Sequence, residues 1–291
     1  MASIAFSVEV ALYSIAGLAL IFGSIFDLKT REVPDWLSYG LIFAGLGIRL
    51  IYSLAFFEWA FFFSGLLGFI VFVGFGYLMF YSGQWGGGDS KLLMGLGAIF
   101  GLPWVWPQVP LLAIFLAATL LVGAVYGLVW IVALAVGKSQ AVGMAAHKLR
   151  AGTSKAETFT YVAAGVLLLA LAFAWLQGFI TVTGLLFATV PLAAYYSWLL
   201  VKSVEKVAFI RRVLPQHLTE GDWVVNDIIV DGQRICGPKD LGLEKEQIAQ
   251  LMHLRDVGKI DKVLIKEGIP FVPSFLIAFV GVFLLKILGF L

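Results

Sequence analysis

This sequence consists mainly of long apolar segments, each about long enough to cross a bilayer. These segments restrict what the chain can fold into. A transmembrane helix needs about 20 mainly apolar residues. Eight segments qualify: residues 4–26, 36–57, 60–82, 90–106, 109–136, 158–177, 179–201 and 271–291. Pro103 interrupts the fourth segment, and only Gln177 and Gly178 separate the sixth from the seventh. We therefore predict an all-α polytopic membrane protein with six to eight transmembrane helices.

The N-terminal apolar segment is predicted to be a retained helix, because residues 1–26 lack the basic start of a signal peptide. Basic residues then set the orientation, since Lys and Arg accumulate on the cytoplasmic side. With the N-terminus outside, the cytoplasmic connections hold all 20 Lys and Arg residues except Arg49 and Lys286. These connections are residues 27–35, 83–91, 137–157 and 202–270. We predict a multi-pass protein of the cell membrane.

Residues 202–270 differ from the rest of the chain, because charge is dense and apolar runs are short. Val224–Val230, the pair Asp231-Gly232 and Gln233–Cys236 predict a β-hairpin with a tight primed turn. Residues 244–255 have helical spacing, and residues 262–267 predict another strand. The predicted domains are a transmembrane helical domain (1–201), a small cytoplasmic α+β insert (202–270) and a C-terminal transmembrane helix (271–291).

Two acids stand where apolar segments meet the cytoplasmic connections. Asp27 ends the first segment, and Asp89 follows the glycines Gly86, Gly87 and Gly88. Each has an ordinary explanation, since Asp27 could end a helix in water and Asp89 could cap the helix that follows. Both are nevertheless expected at one membrane depth, where acids usually have a function. Two adjacent carboxyl groups can share one proton and activate a water molecule for attack on a peptide carbonyl.

Other polar groups have simpler interpretations. Asp35 is expected to cap the second helix, Glu32 to be a solvated loop charge, and Lys91 to reach the interface near enough to influence Asp89. Arg49 is unusual within a predicted span and could lie near its outer end or pair with another group. The sequence has a single cysteine and three isolated histidines, so no metal site and no cofactor are expected.

With both acids in view, the sequence resembles the archaeal type IV prepilin peptidases, including the preflagellin (archaellin) peptidases, which are membrane aspartic proteases of the GxGD class. The residues from Gly86 to Lys91 fit the pattern GxGDxK. Asp27, Arg31, Val33 and Pro34 fit the pattern Asp-x3-Arg-x-(Ile/Val)-Pro. The resemblance covers residues 1–136, and the segment Gly268–Ser274 with its preceding insert is similar to longer archaeal members.

The resemblance implies roles for the matching residues. Asp27 and Asp89 would be the catalytic pair. The loop around Asp89 would be shaped by its glycines, and Arg31 and Lys91 would be supporting residues. The implied partners are the bilayer and prepilin or archaellin precursors, which present a short basic leader before a hydrophobic helix; no nucleic acid is expected. From their position, Glu32 and Asp35 are candidates for attracting that leader.

Several alternatives remain open from the sequence. Many bacterial relatives carry a cysteine cluster and methylate the new N-terminus, and because this chain lacks those cysteines, cleavage without methylation is expected. A presenilin-like GxGD protease is the nearest rival, although its first acid lies inside a helix. A proton- or ion-coupled transporter also uses paired membrane acids, and a non-catalytic scaffold for the insert is a further possibility.

Overall fold

The computed structural model describes residues 2–104, 109–178, 187, 189–240 and 242–290. The chain is mainly helical, with short strands confined to one region. The helices, in chain order, are α1 (Ala2–Thr30), α2 (Asp35–Phe56), α3 (Trp59–Tyr81), α4 (Gly87–Phe100), α5 (Leu111–Gly137), α6 (Ser139–Gly152), α7 (Ser154–Leu176), α8 (Val190–Val204), α9 (Lys245–Asp256) and α10 (Val272–Ile287). The strands are β1 (Ile210–Val213), β2 (Trp223–Val224), β3 (Ile228–Val230), β4 (Gln233–Cys236) and β5 (Val263–Lys266).

Five helices within the described ranges are long and apolar enough to cross a bilayer: α1, α2, α3, α5 and α7. A further apolar helix, α10, has 16 residues. The predicted class, an all-α polytopic membrane protein with a small β-containing insert, is confirmed. The number of spans, six to eight, stays a prediction.

The helix bounds correct the predicted spans at three places. Helix α4 has only 14 residues and begins at Gly87, and residues 105–106 of the predicted fourth span lie outside the described residues. Most of residues 179–189 in the seventh span are likewise not described, and α8 begins at Val190. The predicted connection 137–157 contains α6, an amphipathic helix of 14 residues, too short and too polar to span a bilayer.

The chain divides into two compact units. The first contains residues 1–128 and 213–291, and the second contains residues 129–212. The domain boundaries after residues 201 and 270 stay a prediction. In the second unit, α6, α7 and α8 pack together. Between α6 and α7, the Oγ1 atom of Thr153 lies 3.2 Å from the hydroxyl oxygen of Tyr195 in α8.

Helix α4 lies at the centre of the first unit, where it packs against both α2 and α3. Its apolar residues are buried on every side, and Leu92, Leu93, Leu96 and Ile99 are fully covered. Glycines permit the close approach of α3: a Cβ on Gly68 would lie 2.4 Å from the Gly97 carbonyl oxygen. Small residues at helix contacts are common in membranes, where packing replaces hydrophobic driving force.

Arg49 explains how a charge is accommodated inside this bundle. It lies in α2, and its side chain is buried. Its guanidinium donates to the Phe61 carbonyl at 2.9 Å, to Ser64 Oγ at 2.9 Å and to the Ile99 carbonyl at 2.7 Å. A buried cation needs such partners. Arg49 therefore joins α2 to α3 and α4. Of the two alternatives for this charge, the structure shows the one in which Arg49 pairs with other groups.

The 213–270 segment folds around its own apolar cluster. The predicted hairpin is confirmed around its turn, because β3 pairs antiparallel with β4 and Val230 faces Gln233. Its first strand is shorter than the predicted Val224–Val230, because Val224 belongs to β2 and not to β3. Asp231 and Gly232 both have positive φ angles, 53° and 80°, as a type I′ turn requires. Strand β2 pairs antiparallel with β5. The cluster contains Leu218, Val224, Cys236, Leu243, Leu251, Val263 and Ile265.

Candidate active site

Asp27 is buried in the last turn of α1, with 4% of its surface exposed. Its carboxylate does not face water, as a simple helix end would. The Oδ2 atom accepts a 2.9 Å hydrogen bond from the backbone N–H of Val272. Buried carboxylates require such donors, because transfer out of water is otherwise unfavourable. The carboxylate is therefore held in place by a residue at the far end of the sequence.

Asp89 lies in the first turn of α4, and it is half-buried. The helix begins at Gly87, so Asp89 is its third residue and not the cap that sequence reasoning allowed. Its Oδ2 atom accepts a 3.2 Å hydrogen bond from the Gly86 N–H, just before the helix. This bond, from the N-cap N–H to a side chain in the first turn, is one of the two hydrogen bonds of a capping box. An acid in the first turn also complements the helix dipole.

The two acids are 62 residues apart in sequence, but they lie on two helices, α1 and α4, that pack against each other. Contacts around them explain the approach of α1 to α4. A Cβ on Gly23, one turn before Asp27, would lie 3.4 Å from the Leu92 side chain, one turn after Asp89. Both acids therefore lie at one end of the α1–α4 contact.

Only one of the three loop glycines is required by close packing. A Cβ on Gly88 would lie 3.0 Å from Cβ of Val33 and 3.2 Å from its backbone nitrogen. A Cβ added at Gly87 would meet only the Phe80 ring, at an ordinary contact distance of 3.7 Å. A Cβ added at Gly86 would meet only Asp89 Oδ2, at 3.4 Å. Gly88 thus brings the Asp89 loop against Val33, which belongs to the motif that begins with Asp27.

Lys91 and Asp35 have a different arrangement from the expected one. Lys91 Nζ lies 2.6 Å from Asp35 Oδ1 in an ion pair that is partly exposed. Lys91 also lies over the Tyr39 ring. Asp35 is the first residue of α2, its N-cap is Pro34, and no side-chain cap bond forms. The prediction that Asp35 caps α2 is therefore wrong, and the ion pair instead joins Lys91 of α4 to the first residue of α2.

Arg31 and Glu32 form the turn that follows Asp27. Arg31 has a φ of 62°, and its N–H donates to the Asp27 carbonyl at 3.0 Å, so it ends α1. Its guanidinium interacts electrostatically with the Asp27 carboxylate. Glu32 is exposed, as expected for a loop charge. Its carbonyl accepts a 3.3 Å hydrogen bond from Thr30 Oγ1.

Sequence reasoning about the acids missed three residues that surround them. Val272 donates to Asp27, Tyr126 of α5 interacts electrostatically with Asp27, and Trp85 is buried directly before the glycines. In the sequence, the segment that contains Val272 stands out only through the family resemblance. A tryptophan directly before the glycine loop is the one signal that the sequence offers for these surroundings. In the described part of the chain, no group of three or more His, Cys, Asp or Glu side chains could hold a metal ion.

The fold and the paired acids define a class: a polytopic membrane protein with two aspartates at the adjoining ends of packed helices. Comparison with known families agrees, because residues 14–128, which include both acids, match the type IV leader peptidase family. The resemblance to archaeal type IV prepilin and preflagellin peptidases is confirmed over this part of the chain.

Individual relatives point the same way. Preflagellin peptidases of Methanococcus maripaludis and Methanocaldococcus jannaschii are each 36% identical to this chain over 87 residues. That of Methanococcus voltae is 38% identical over the same length. Each alignment covers 30% of this chain and 37% of the relative. The chain therefore spans little more than a third of the curated relatives that it matches.

Proposed function

We propose that this protein is a membrane aspartic endopeptidase that uses Asp27 and Asp89 to activate water. The observation that carries the proposal is the placement of both acids at one end of the contact between α1 and α4, where Gly23 of α1 approaches Leu92 of α4. Packing alone does not require two carboxyl groups in that place, where their repulsion is unfavourable. The family match over residues 14–128 supports the same chemistry.

The reaction requires only the two carboxyl groups, water and a peptide bond. The ionised carboxylate takes a proton from water as the water oxygen bonds to the peptide carbonyl carbon. The protonated carboxyl group hydrogen-bonds to the carbonyl oxygen and stabilises the negative charge that develops there. The C–N bond then breaks, a proton passes to the leaving amine, and a new carboxyl terminus remains. The shared proton belongs to the pair and not to either residue.

The proposed substrates are precursors of prepilin or archaellin type, with a short basic leader followed by a hydrophobic helix. The three relatives are named preflagellin peptidases. Cleavage between leader and helix needs a catalytic pair near the membrane boundary. Asp27 lies four residues from the start of the α1–α2 connection, and Asp89 lies in the first turn of α4. Asp27 lies inside α1, as the first acid of a presenilin-like protease would, but both acids are in terminal turns, and these positions near helix ends favour boundary cleavage over a cut within the membrane.

The active face is proposed to be cytoplasmic, because the sequence predicts that the basic connections and both acids lie on the same side of the membrane. Glu32 and Asp35 are proposed to attract the basic leader. Asp35 is already paired with Lys91, so most of the attraction falls to Glu32. The carboxylate of Asp222, in the turn before β2, interacts electrostatically with Glu32 and adds negative charge nearby.

Cleavage of a defined precursor tests this proposal. The purified protein in lipid vesicles should cut a precursor that has a basic leader, and mass spectrometry should find an unmethylated new N-terminus. A precursor with an acidic leader is the matched control and should be cut more slowly. Reversal of charge at both Glu32 and Asp35 should reduce this preference. Proton or ion flux in the same vesicles, without peptide cleavage, would favour the transporter alternative instead.

A further inference from the structure

The first turn of α10 contacts Asp27 directly, although it lies far outside the residues that match the peptidase family. Val272 is the first residue of α10, so its N–H has no partner within the helix. This N–H donates to Asp27 Oδ2 at 2.9 Å, and the Val272 side chain is fully buried. The α10 turn, defined here as residues 271–275, thus fixes one carboxylate oxygen of the first acid.

The same turn also contacts the loop of the second acid. Trp85, which precedes the glycine loop, packs its ring 5.4 Å from that of Phe271 and 5.2 Å from that of Phe275, between centroids. Trp85 and Phe275 are both buried. Four residues after Trp85 comes Asp89, whose carboxylate binds back to the loop. One short turn therefore contacts both halves of the pair, through a backbone donor and through two rings.

Neighbouring helices leave the α10 turn little room to shift. On the α5 side, a Cβ on Gly123 would lie 2.4 Å from the tip of the Phe271 ring. On the α1 side, a Cβ on Gly23 would lie 3.2 Å from the Val272 side chain. The Phe271 ring cannot turn away freely, because Trp85 and Phe275 pack against it. Close packing of this kind holds a side chain in one arrangement.

We propose that the α10 turn is a clamp that fixes the spacing of Asp27 and Asp89. Val272 and Phe271 are positioning residues, since they act through the two acids and not on substrate. The inference rests on the proposed function and extends it to a C-terminal segment that the family match does not cover. Because the clamp sets geometry, its loss should lower kcat while substrate binding is retained. A small displacement of catalytic groups can slow a reaction by about a hundredfold.

Two glycines of α5 provide a matched test. Gly123→Ala inserts a methyl group against Phe271, whereas Gly127→Ala, one turn further on, inserts the same group where no atom lies within 4 Å. For a precursor with a basic leader, we expect Gly123→Ala to lower kcat at least about tenfold, with KM within about twofold of wild type. Gly127→Ala should retain wild-type values. Equal kcat in the two variants would overturn the clamp.

Hydrogen exchange tests the clamp without relying on cleavage. Asp27→Ala removes the acceptor of the Val272 N–H, so this amide should exchange at least about tenfold faster than in wild type. In Gly127→Ala it should keep the wild-type rate. An unchanged Val272 rate in Asp27→Ala would overturn the clamp, even if Gly123→Ala fails to fold. If the wild-type protein cleaves no precursor, the proposed function fails, and this exchange measurement still decides whether the clamp exists.

Discussion

Arg49 donates a 2.7 Å hydrogen bond to the carbonyl of Ile99, 50 residues later in the chain. This carbonyl lies in the last turn of α4, the helix that carries Asp89 in its first turn. A cation near a helix C-terminus complements the helix dipole. Arg49 thus fixes the end of α4 opposite to the acid, and the position of Asp89 depends on a charge buried within α2.

Replacement of Arg49 should destabilise the bundle. Arg49→Met leaves the Ile99 carbonyl without this donor, and a buried unsatisfied acceptor costs about 1–3 kcal/mol, whereas the Phe61 carbonyl still accepts from Ser64 Oγ at 2.8 Å. We expect a loss of about 1–3 kcal/mol, measured by thermal unfolding in detergent micelles. Lys286→Met removes an exposed cation that lies over the Tyr13 ring, and it should change stability by less than about 1 kcal/mol. Equal losses in the two variants would show that the Arg49 bonds do not stabilise the fold.

The contact between α3 and α4 predicts a strong contrast between two glycines of α3. Gly68→Ala would place a Cβ 2.4 Å from the Gly97 carbonyl oxygen. A Cβ added at Gly74 would have no neighbouring atom within 4 Å. The Gly68 variant should lose about 1–3 kcal/mol of unfolding free energy through overpacking. Gly74→Ala should leave stability unchanged or slightly improved, because alanine favours helix. If thermal unfolding gave the same midpoint temperature for the two variants, this contact would be contradicted.

The Lys91–Asp35 ion pair should contribute little to stability, because both side chains are partly exposed. Surface pairs are typically worth about 0.2–1 kcal/mol. A double-mutant cycle with Lys91→Met and Asp35→Asn should give a coupling energy in that range, reduced by salt. The charge-swapped variant, Lys91→Asp with Asp35→Lys, should recover most of the coupling. A coupling above about 2 kcal/mol would mean that the pair is effectively desolvated.

Asp222 predicts a pH dependence in the 213–270 segment. Burial raises the pKa of its carboxyl group, the Thr219 N–H opposes this, and the nearby carboxylates of Glu32 and Glu267 raise it further. An acid with a raised pKa in the folded state contributes stability at low pH that is lost as pH rises through that pKa. Asp222→Asn should therefore raise the unfolding temperature at about pH 7, and this gain should shrink towards about pH 4. A gain that is constant with pH would contradict the assignment.

Local patterns in the sequence predicted much of this fold. The hairpin from β3 to β4 was predictable because Asp231 and Gly232 suit a turn that needs two positive φ angles. Helix α9 was predicted almost to its ends, since Lys245–Asp256 follows a helical period. Its apolar residues are buried to different degrees: Leu251 is fully buried and Ile248 is partly buried, but Met252 is 40% exposed. Periodicity alone does not show how wide a buried stripe is.

The two acids could be found in the sequence because charges beside long apolar segments are rare. Their surroundings could not, because the contacts are distant in sequence. The donor to Asp27 is a backbone N–H 245 residues away, and no residue type marks such a donor. Lys91 was expected to act on its neighbour Asp89, yet it pairs with Asp35 in another helix. The choice of partner for a long charged side chain depends on the tertiary fold.

Peptide cleavage by two isosteric variants tests the central claim most directly. Asp27→Asn and Asp89→Asn keep the size of each side chain and an oxygen acceptor for the Val272 and Gly86 donors. They remove the carboxyl group that must exchange a proton. With a precursor that has a basic leader, we predict wild-type membrane insertion and at least about a thousandfold loss of cleavage in each variant. Cleavage by either variant at the wild-type rate would contradict the aspartic protease assignment.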